Sequence, residues 1–185
     1  MRIRRGVFLL ICTVSTLLCG CARPQQPAAS SPPPAAAAAP QVEANLGQLM
    51  RGILFPNSNV IFAAQSEDPT KIKQAPDPSL SPNPLSGTYG GWEAVQNSAL
   101  ALAESANLLT IPGRRCANGR PVPVENADWG KFVQGLRDAG MKAYKAAESK
   151  NQDQMLDAAD TMTTACSNCH DKYREKPGGV ADRCM

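Results

Sequence analysis

The chain has 185 residues, with 19 Lys and Arg against 16 Asp and Glu, seven cysteines and one histidine. Residues 1–20 hold three of the basic residues and no acidic residue, so the remaining chain carries 16 charges of each sign and is formally neutral. A neutral chain lacks the positive surface with which proteins bind phosphate backbones, so we expect no nucleic-acid partner.

The first 20 residues predict an export signal. Three arginines precede an apolar run from Gly6 to Leu18, which is too short for a comfortable membrane span. An N-terminal membrane anchor is the alternative. The end of the run, Leu18-Cys19-Gly20-Cys21, resembles the lipobox of bacterial lipoproteins. The resemblance implies cleavage after Gly20, lipidation of Cys21 and a protein tethered to a bacterial membrane on the periplasmic side, with ordinary signal cleavage nearby as the alternative.

Residues 21–40 predict a disordered linker rich in proline and alanine. The segment RPQQPAASSPPPAAAAAP, residues 23–40, cannot build a core, and its prolines favour the extended polyproline II conformation. At ~3.1 Å per residue this segment spans roughly 50 Å when fully extended. We expect a spacer between the lipid anchor and the domain; an untethered disordered tail is the alternative.

Residues 41–185 have the length of one ordinary domain and show four apolar patterns of helical period, without strand alternation. The predicted fold class is therefore all-α, a four-helix bundle. Pro56 interrupts the first pattern and predicts either a kink or a break there. A long connection rich in proline and glycine, residues 66–91, separates the first two patterns. The predicted helices are 42–64, 92–109, 127–147 and 152–175.

The fourth pattern is the most regular and holds the only histidine of the chain. Within it, Cys166-Ser167-Asn168-Cys169-His170 has the spacing of a c-type haem attachment motif, in which two thiols bond the vinyl groups and the adjacent imidazole coordinates the iron. One histidine allows one such motif. We therefore expect one covalently attached haem c per chain, bound through Cys166 and Cys169, with His170 as an axial iron ligand. The predicted inward face comprises Met155, Ala158, Ala159, Met162, Cys166, Cys169, His170 and Tyr173.

Two other interpretations of the Cys-x-x-Cys spacing have less support. A thioredoxin-like site, which would make the chain a thiol-disulfide redox protein, accompanies βαβ patterning, whereas this motif ends a helical pattern. A structural zinc site needs four ligands. Adding Cys116 and Cys184 to the two motif cysteines gives a spacing that is typical of no common zinc knuckle.

The segment CSNCHDKYREK, residues 166–176, resembles the class II c-type cytochromes, the group of cytochrome c′ and the low-spin c556-like proteins. Their haem motif lies near the end of the last helix of a four-helix bundle and continues with an aromatic residue and an arginine, here Tyr173 and Arg174. Residues 128–147, DWGKFVQGLRDAGMKAYKAA, resemble the third helix of the same group. The resemblance implies a haem pocket that includes Tyr173 and Arg174, although Arg174 also fits a cation that stabilises a helix C-terminus.

The resemblance also implies that the first helix faces the haem opposite the histidine, with either a methionine ligand or an apolar blocker. Met50 is the candidate ligand, unless it is an ordinary core residue, and Leu54 and Phe55 are the candidate blockers. A methionine ligand predicts an electron carrier that serves redox partner proteins in the periplasm. An apolar wall predicts a site for diatomic gases such as NO or CO. We see no catalytic triad, phosphate-binding loop or paired carboxylates, and we do not expect an enzyme.

Several residues near the predicted pocket have two interpretations. In an oxidising compartment, Cys116 and Cys184 either form a disulfide or remain separate thiols. Arg51 is either a partner for a haem propionate or a solvated cation. The basic residues near the motif either dock an acidic redox partner or belong to a solvated helix end, since acidic residues alternate with them. These basic residues are Lys172, Arg174, Lys176 and Arg183.

The oligomeric state stays open, and a homodimer is compatible with the sequence.

Overall fold

Four helical segments pack together in the part of the chain that the structure, a computed structural model, describes: residues 40–87, 89–175 and 177–184. The expected export signal, Cys21 and all of the expected linker except Pro40 lie outside the described residues. Within them no β-strand forms, which confirms the prediction of an all-α fold. The segments are α1 (Leu46–Leu49) with a π-helical turn (Met50–Leu54) and α2 (Phe55–Ser66), then α3 (Gly91–Ser105), α4 (Ala127–Glu148) and α5 (Gln152–Tyr173).

The first helix begins at Leu46, later than the apolar pattern predicts, because Asn45 caps it. The Asn45 side chain accepts a hydrogen bond from the backbone N–H of Gln48 at 2.8 Å, and the Gln48 side chain accepts one from the backbone N–H of Asn45 at 2.9 Å. This reciprocal capping box satisfies N–H groups that a helix N-terminus leaves without partners inside the helix. Val42 therefore lies before the helix, although its spacing continues the pattern.

The helix continues past Pro56 because the turn before the proline is widened. Pro56 has no backbone N–H, and in a regular α-helix its ring would clash with the carbonyl group four residues earlier. Here the segment Met50–Leu54 is π-helical, and the backbone N–H of Phe55 donates to the Met50 carbonyl. The proline then lies in the first turn of α2, where it is tolerated. The chain thus has a π-bulge in a continuous helix, not a break.

Each helix packs against the next along the chain, and α2 also packs against α5, which closes the bundle. The helices α3 and α4 are in close contact at Gly140. A Cβ atom at this position would lie 2.9 Å from the Ala103 nitrogen and 3.0 Å from the Ala99 oxygen. Glycine therefore lets the two backbones approach to a distance that any larger residue would increase.

A buried arginine joins the start of the first helix to the loop between α3 and α4. Arg114 is 5% exposed, its Nη1 donates to the Ala44 carbonyl at 2.6 Å, and its Nε donates to the Leu108 carbonyl at 3.1 Å. The backbone N–H of Leu46 donates to the Arg115 carbonyl at 2.8 Å. A buried charge needs such partners, so the loop and the first helix are held as one wall at this end of the bundle.

The connection between α2 and α3 is ordered by short helical turns. Leu85 in this connection is fully buried, and the Trp92 Nε1 donates to the Thr70 hydroxyl at 2.8 Å. Among residues 67–87, 3₁₀ turns form at Pro69–Lys71, Pro78–Leu80 and Pro84–Ser86.

In the described residues, no helix has the length and apolar character needed to cross a membrane.

Candidate haem-binding cavity

A cavity of about 200 Å³ lies at the end of the bundle where the first helix begins and α5 ends. All four helical segments contribute to its wall, and so does the C-terminal tail through Cys184. Most of the lining side chains are apolar, with Arg51, Ser58, His170 and Arg174 as the polar exceptions besides the cysteines and the aromatic hydroxyl and indole groups.

The cavity brings together the residues that sequence reasoning assigned to haem attachment, iron ligation and the pocket. They come from two helices at opposite ends of the domain sequence, so that the fold, and not the motif alone, makes them neighbours. From α5 these residues are Cys166, Cys169, His170, Tyr173 and Arg174, and from the first helix they are Met50, Leu54 and Phe55.

The inward face of α5 changes its surroundings along its length. From Met155 to Met162 the residues of this face are fully buried against neighbouring helices. From Ala165 to Arg174 the same face is only partly buried, although the spacing of the sequence pattern is unchanged. The end of α5 therefore has an apolar face that carries cysteine and histidine side chains and that the neighbouring helices cover only in part.

The two motif cysteines are free thiols in this structure. Burial raises the pKa of the Cys166 thiol, and the nearby Arg174 opposes that rise. Burial also raises the pKa of Cys169 to about 11, with smaller contributions from Cys166 and Asp128. Both side chains are therefore protonated at neutral pH. Reactive cysteines of thiol-disulfide enzymes instead have lowered pKa values, so this site lacks their electrostatic character.

His170 is held as a neutral imidazole. Its burial lowers the pKa of the ring below the ordinary value, and the adjacent Arg174 acts in the same direction, against weaker opposing effects of Glu175 and Asp171. A neutral imidazole is the form that binds a metal ion. The position of His170 in the last turn of α5, next to Cys169, directs this ligand-type group toward the cavity.

Aromatic side chains form the wall between α4 and the end of α5. The Tyr173 ring packs edge-on against Trp129, with centroids 5.0 Å apart, and against Phe132 at 6.1 Å. The Tyr173 hydroxyl donates to Asp128 at 2.6 Å and accepts from the Asn126 amide at 3.3 Å. Asn126 precedes α4, and its side chain makes no cap hydrogen bond to that helix.

Sequence reasoning did not assign several residues that line the cavity. Leu102 and Leu109 lie in the second predicted helix and Trp129 and Phe132 in the third, and all four line the cavity. The available signal was their position: they are the last large apolar residues of the second pattern and the first of the third. In an antiparallel bundle, those ends lie beside the end of the fourth helix.

The basic residues near the motif are paired with carboxylates. The Lys172 Nζ lies 3.6 Å from Asp128, and the Arg183 guanidinium lies 4.0 Å from Glu175, which also pairs with Arg174. Lys176 lies outside the described residues. Arg51 lines the cavity and is exposed, which is compatible with both of its interpretations.

A disulfide joins Cys116 to Cys184, whose Cα atoms are 4.6 Å apart. It connects the loop between α3 and α4 to the C-terminal tail. Because both sulfurs are engaged in this bond, they are not available as thiolate ligands beside the two motif cysteines. In the described ranges, no group of three or more His, Cys, Asp or Glu side chains is placed to hold a bare metal ion.

The residues of the cavity fit a haem. Two free thiols three positions apart and one neutral imidazole face a largely apolar space between helices, and a haem is a flat, largely apolar group whose iron is held by axial protein ligands. Comparisons with protein-family models, with curated proteins and with solved structures give no match to this chain.

Proposed function

We propose that this protein is a monohaem c-type cytochrome that carries electrons in the periplasm. The observation that supports this most is the meeting, in one apolar cavity, of the motif Cys166 to His170 on α5 with Met50 and Leu54 on the first helix. The core of a helix bundle is where such folds hold cofactors. The resemblance of residues 166–176 to the class II c-type cytochromes supports the same assignment.

A haem bound in the cavity supplies one-electron redox chemistry. In this proposal Cys166 and Cys169 hold the group through thioether bonds, and His170 ligates its iron. The apolar wall limits access of water and so lowers the local polarity, which is one determinant of reduction potential. Met50 on the first helix would be the second protein ligand of the iron. The roles proposed for these residues are to bind and tune a redox group, so we propose a carrier and not an enzyme.

The test is expression of the full chain in a bacterial host that attaches haem to exported proteins. We expect one haem per chain, visible in the mass and in a reduced c-type absorbance band, and retained after denaturation. The double substitution Cys166→Ser and Cys169→Ser removes the covalent haem. The matched control is Ser167→Ala, which changes an exposed position between the two cysteines and leaves loading unchanged. A colourless wild-type protein with the mass of the polypeptide alone contradicts the proposal.

A gas-binding protein is the second candidate function, and the position of Leu54 favours it. Leu54 is 8% exposed and lines the cavity beside Phe55. An apolar wall opposite His170 would exclude anions and water, because they lose hydration on entry, and would admit uncharged gases such as NO and CO. This candidate requires that Met50 packs against the cavity without serving as a ligand.

The substitution Met50→Ala separates the two functions. Its matched control is Met162→Leu, which alters a fully buried methionine that does not line the cavity. If Met50 is a ligand, the absorbance spectrum of the haem-loaded variant changes from low spin to high spin while the control keeps the wild-type spectrum. An unchanged spectrum, together with CO binding by the wild-type protein, supports the gas-binding function instead.

A thiol-disulfide redox protein is the candidate with least support. Burial keeps the motif thiols protonated, as their raised pKa values imply, whereas attack on a disulfide requires a thiolate. Retention of a coloured group after denaturation would exclude this function for the motif cysteines.

We also propose that a lipid on Cys21 holds the domain at a bacterial membrane and that residues 21–40 act as the spacer. Redox partner proteins then reach the cavity end of the domain from the periplasm. We expect Cys21→Ser to move the protein from the membrane fraction to the soluble periplasmic fraction, because the lipid chains supply the membrane affinity. An unmodified N-terminus at another residue, found by mass spectrometry of the wild-type protein, contradicts the lipid anchor.

A further inference from the structure

The C-terminal tail folds back against the cavity and is held there by the end of α5 and by the loop between α3 and α4. The backbone N–H of Cys184 donates to the Tyr173 carbonyl at 2.9 Å, at the end of α5. The Asn118 amide donates to the carbonyl groups of Ala181 at 2.9 Å and Arg183 at 2.7 Å. The disulfide to Cys116 adds a covalent link to the same loop.

The two halves of this disulfide have different surroundings. Cys184 lines the cavity, together with Cys166 and Cys169, and Cys166 and Cys184 pack against the same core cluster. Cys116 is 2% exposed and does not line the cavity. Three cysteine side chains therefore surround one space, although the proposed attachment of haem uses only two of them.

We propose that Cys116 is a specificity-determining residue for haem attachment, because it holds the third cavity cysteine in a disulfide. This inference rests on the proposed function. A disulfide oxidant takes two electrons and two protons from the Cys116 and Cys184 thiols, and it is itself reduced to two thiols as their S–S bond forms. Cys166 and Cys169 then remain as the free thiols of the cavity, and each can add to a vinyl group.

Without Cys116 the same oxidation joins different residues. The Cys184 thiol stays in the cavity, and a disulfide oxidant can link it to Cys166 or Cys169 with the same balance of electrons and protons. Either bond removes one of the two thiols that attachment needs. Two of the three pairs that these three thiols can form include Cys184, and neither forms while Cys184 is bonded to Cys116, so we expect a loss of haem per chain.

The experiment compares two single variants that lose the same disulfide. The full chain is expressed in a host that exports it and attaches haem, and oxidised glutathione is added to the medium. Haem per chain is measured by absorbance, and the disulfides of the haem-free fraction are mapped by mass spectrometry. We expect Cys116→Ser to carry less haem per chain than Cys184→Ser and to contain disulfide bonds from Cys184 to a motif cysteine. The double variant restores loading to the level of Cys184→Ser.

Equal haem loading in the two single variants overturns the proposal, because any loss of stability from the missing disulfide is common to both. A double variant that loads as poorly as Cys116→Ser overturns it as well, since no Cys184 thiol is then present to compete. If the wild-type chain takes up no haem, the proposed function fails. The disulfide map of Cys116→Ser still reports on the pairing of Cys184 in that case, and absence of any such bond rejects the inference separately.

Discussion

From the middle of the bundle toward the turn between α4 and α5, the helices pack mostly through small side chains, whereas at the cavity end large side chains line the helices. Ala99 and Ala103 of α3 meet Gly140 of α4 so closely that a Cβ atom on the glycine would contact backbone atoms. At the other end, Trp129 and Leu136 of the same α4 border an open space. One helix thus has two kinds of packing along its length.

The difference indicates that the cavity arises from the sizes of the side chains along the helices and not from poor packing of the bundle as a whole. Small residues let the helices approach until their backbones are in contact, and this contact fixes their separation. Further along, large apolar side chains line the helices, and their surfaces face the cavity. A void of this size without an occupant forfeits contacts that a well-packed core would make. The comparison predicts that substitutions have different costs in the two halves.

The largest expected effect is that of truncating a fully buried side chain in the closely packed half of the bundle, away from the cavity. Met155 is 0% exposed, and Met155→Ala should lower the free energy of unfolding by about 2–5 kcal/mol, because it leaves a new cavity. Leu54→Ala in the cavity wall should cost less in the haem-free chain, because Leu54 already borders empty space. Denaturant unfolding of both variants measures the difference. Equal costs in haem-free protein would contradict the distinction between the two halves.

The close contact of α3 with α4 predicts opposite effects for two glycines on one helix. A Cβ at Gly140 would lie 2.9 Å from the Ala103 nitrogen, whereas at Gly135 it would meet nothing within 4 Å. Gly140→Ala should therefore cost about 1–2 kcal/mol, since the helices must move apart. Gly135→Ala should stabilise the protein by up to about 1 kcal/mol through helix propensity. Thermal unfolding gives both values, and stabilisation by Gly140→Ala would show that the helices are free to separate.

The smallest effect is expected at the hydrogen bond from Tyr173 to Asp128 in the cavity wall. This hydrogen bond is the main reason that the pKa of Asp128 lies below its usual value of 3.8. A lowered pKa in the folded state adds stability that is fully present above pH 3.8 and is lost as the pH falls through the folded-state value. Tyr173→Phe should therefore destabilise the protein more at about pH 6 than at about pH 2.5.

The matched control for that prediction is Tyr89→Phe, which removes a hydroxyl from an exposed tyrosine outside the bundle. Thermal unfolding of the two variants and the wild type at both pH values gives the comparison. A loss of stability in Tyr173→Phe that does not change with pH would mean that the hydroxyl acts through packing and not through the carboxylate.

The four helices, including the one that carries the motif, could be predicted from apolar spacing, because a buried stripe has the same period wherever it occurs. Two details depended on local chemistry that the spacing does not contain. Asn45 moved the start of the first helix, and Pro56 was accommodated by a π-helical turn. A proline signals a problem for the regular helix, but the solution depends on whether the neighbouring helices permit an extra residue in the turn.

The cavity wall formed by Leu109 and Trp129 could not be predicted from the sequence. Helical period identifies which face of a helix points inward, but not which residues of two neighbouring helices lie at the same level along the bundle axis. Leu109 and Trp129 lie at the same level as Cys169 only because the connecting loops set the register between helices. The pairing of Cys116 and Cys184 stayed open for the same reason. In the structure, a tight turn with Gly119 at φ +82° and a hydrogen bond from its N–H to the Cys116 carbonyl presents Cys116 to the tail.

The guanidinium of Arg114, which binds the Ala44 carbonyl just before the first helix, has a mechanical consequence. Since the Leu46 N–H also donates to the Arg115 carbonyl, the loop between α3 and α4 braces the start of the first helix at two neighbouring points. A pull on the chain before Ala44 would meet this brace before it reached the residues of the first helix that line the cavity. If the proposed lipid on Cys21 tethers the protein, the brace would limit how far such a pull distorts the cavity.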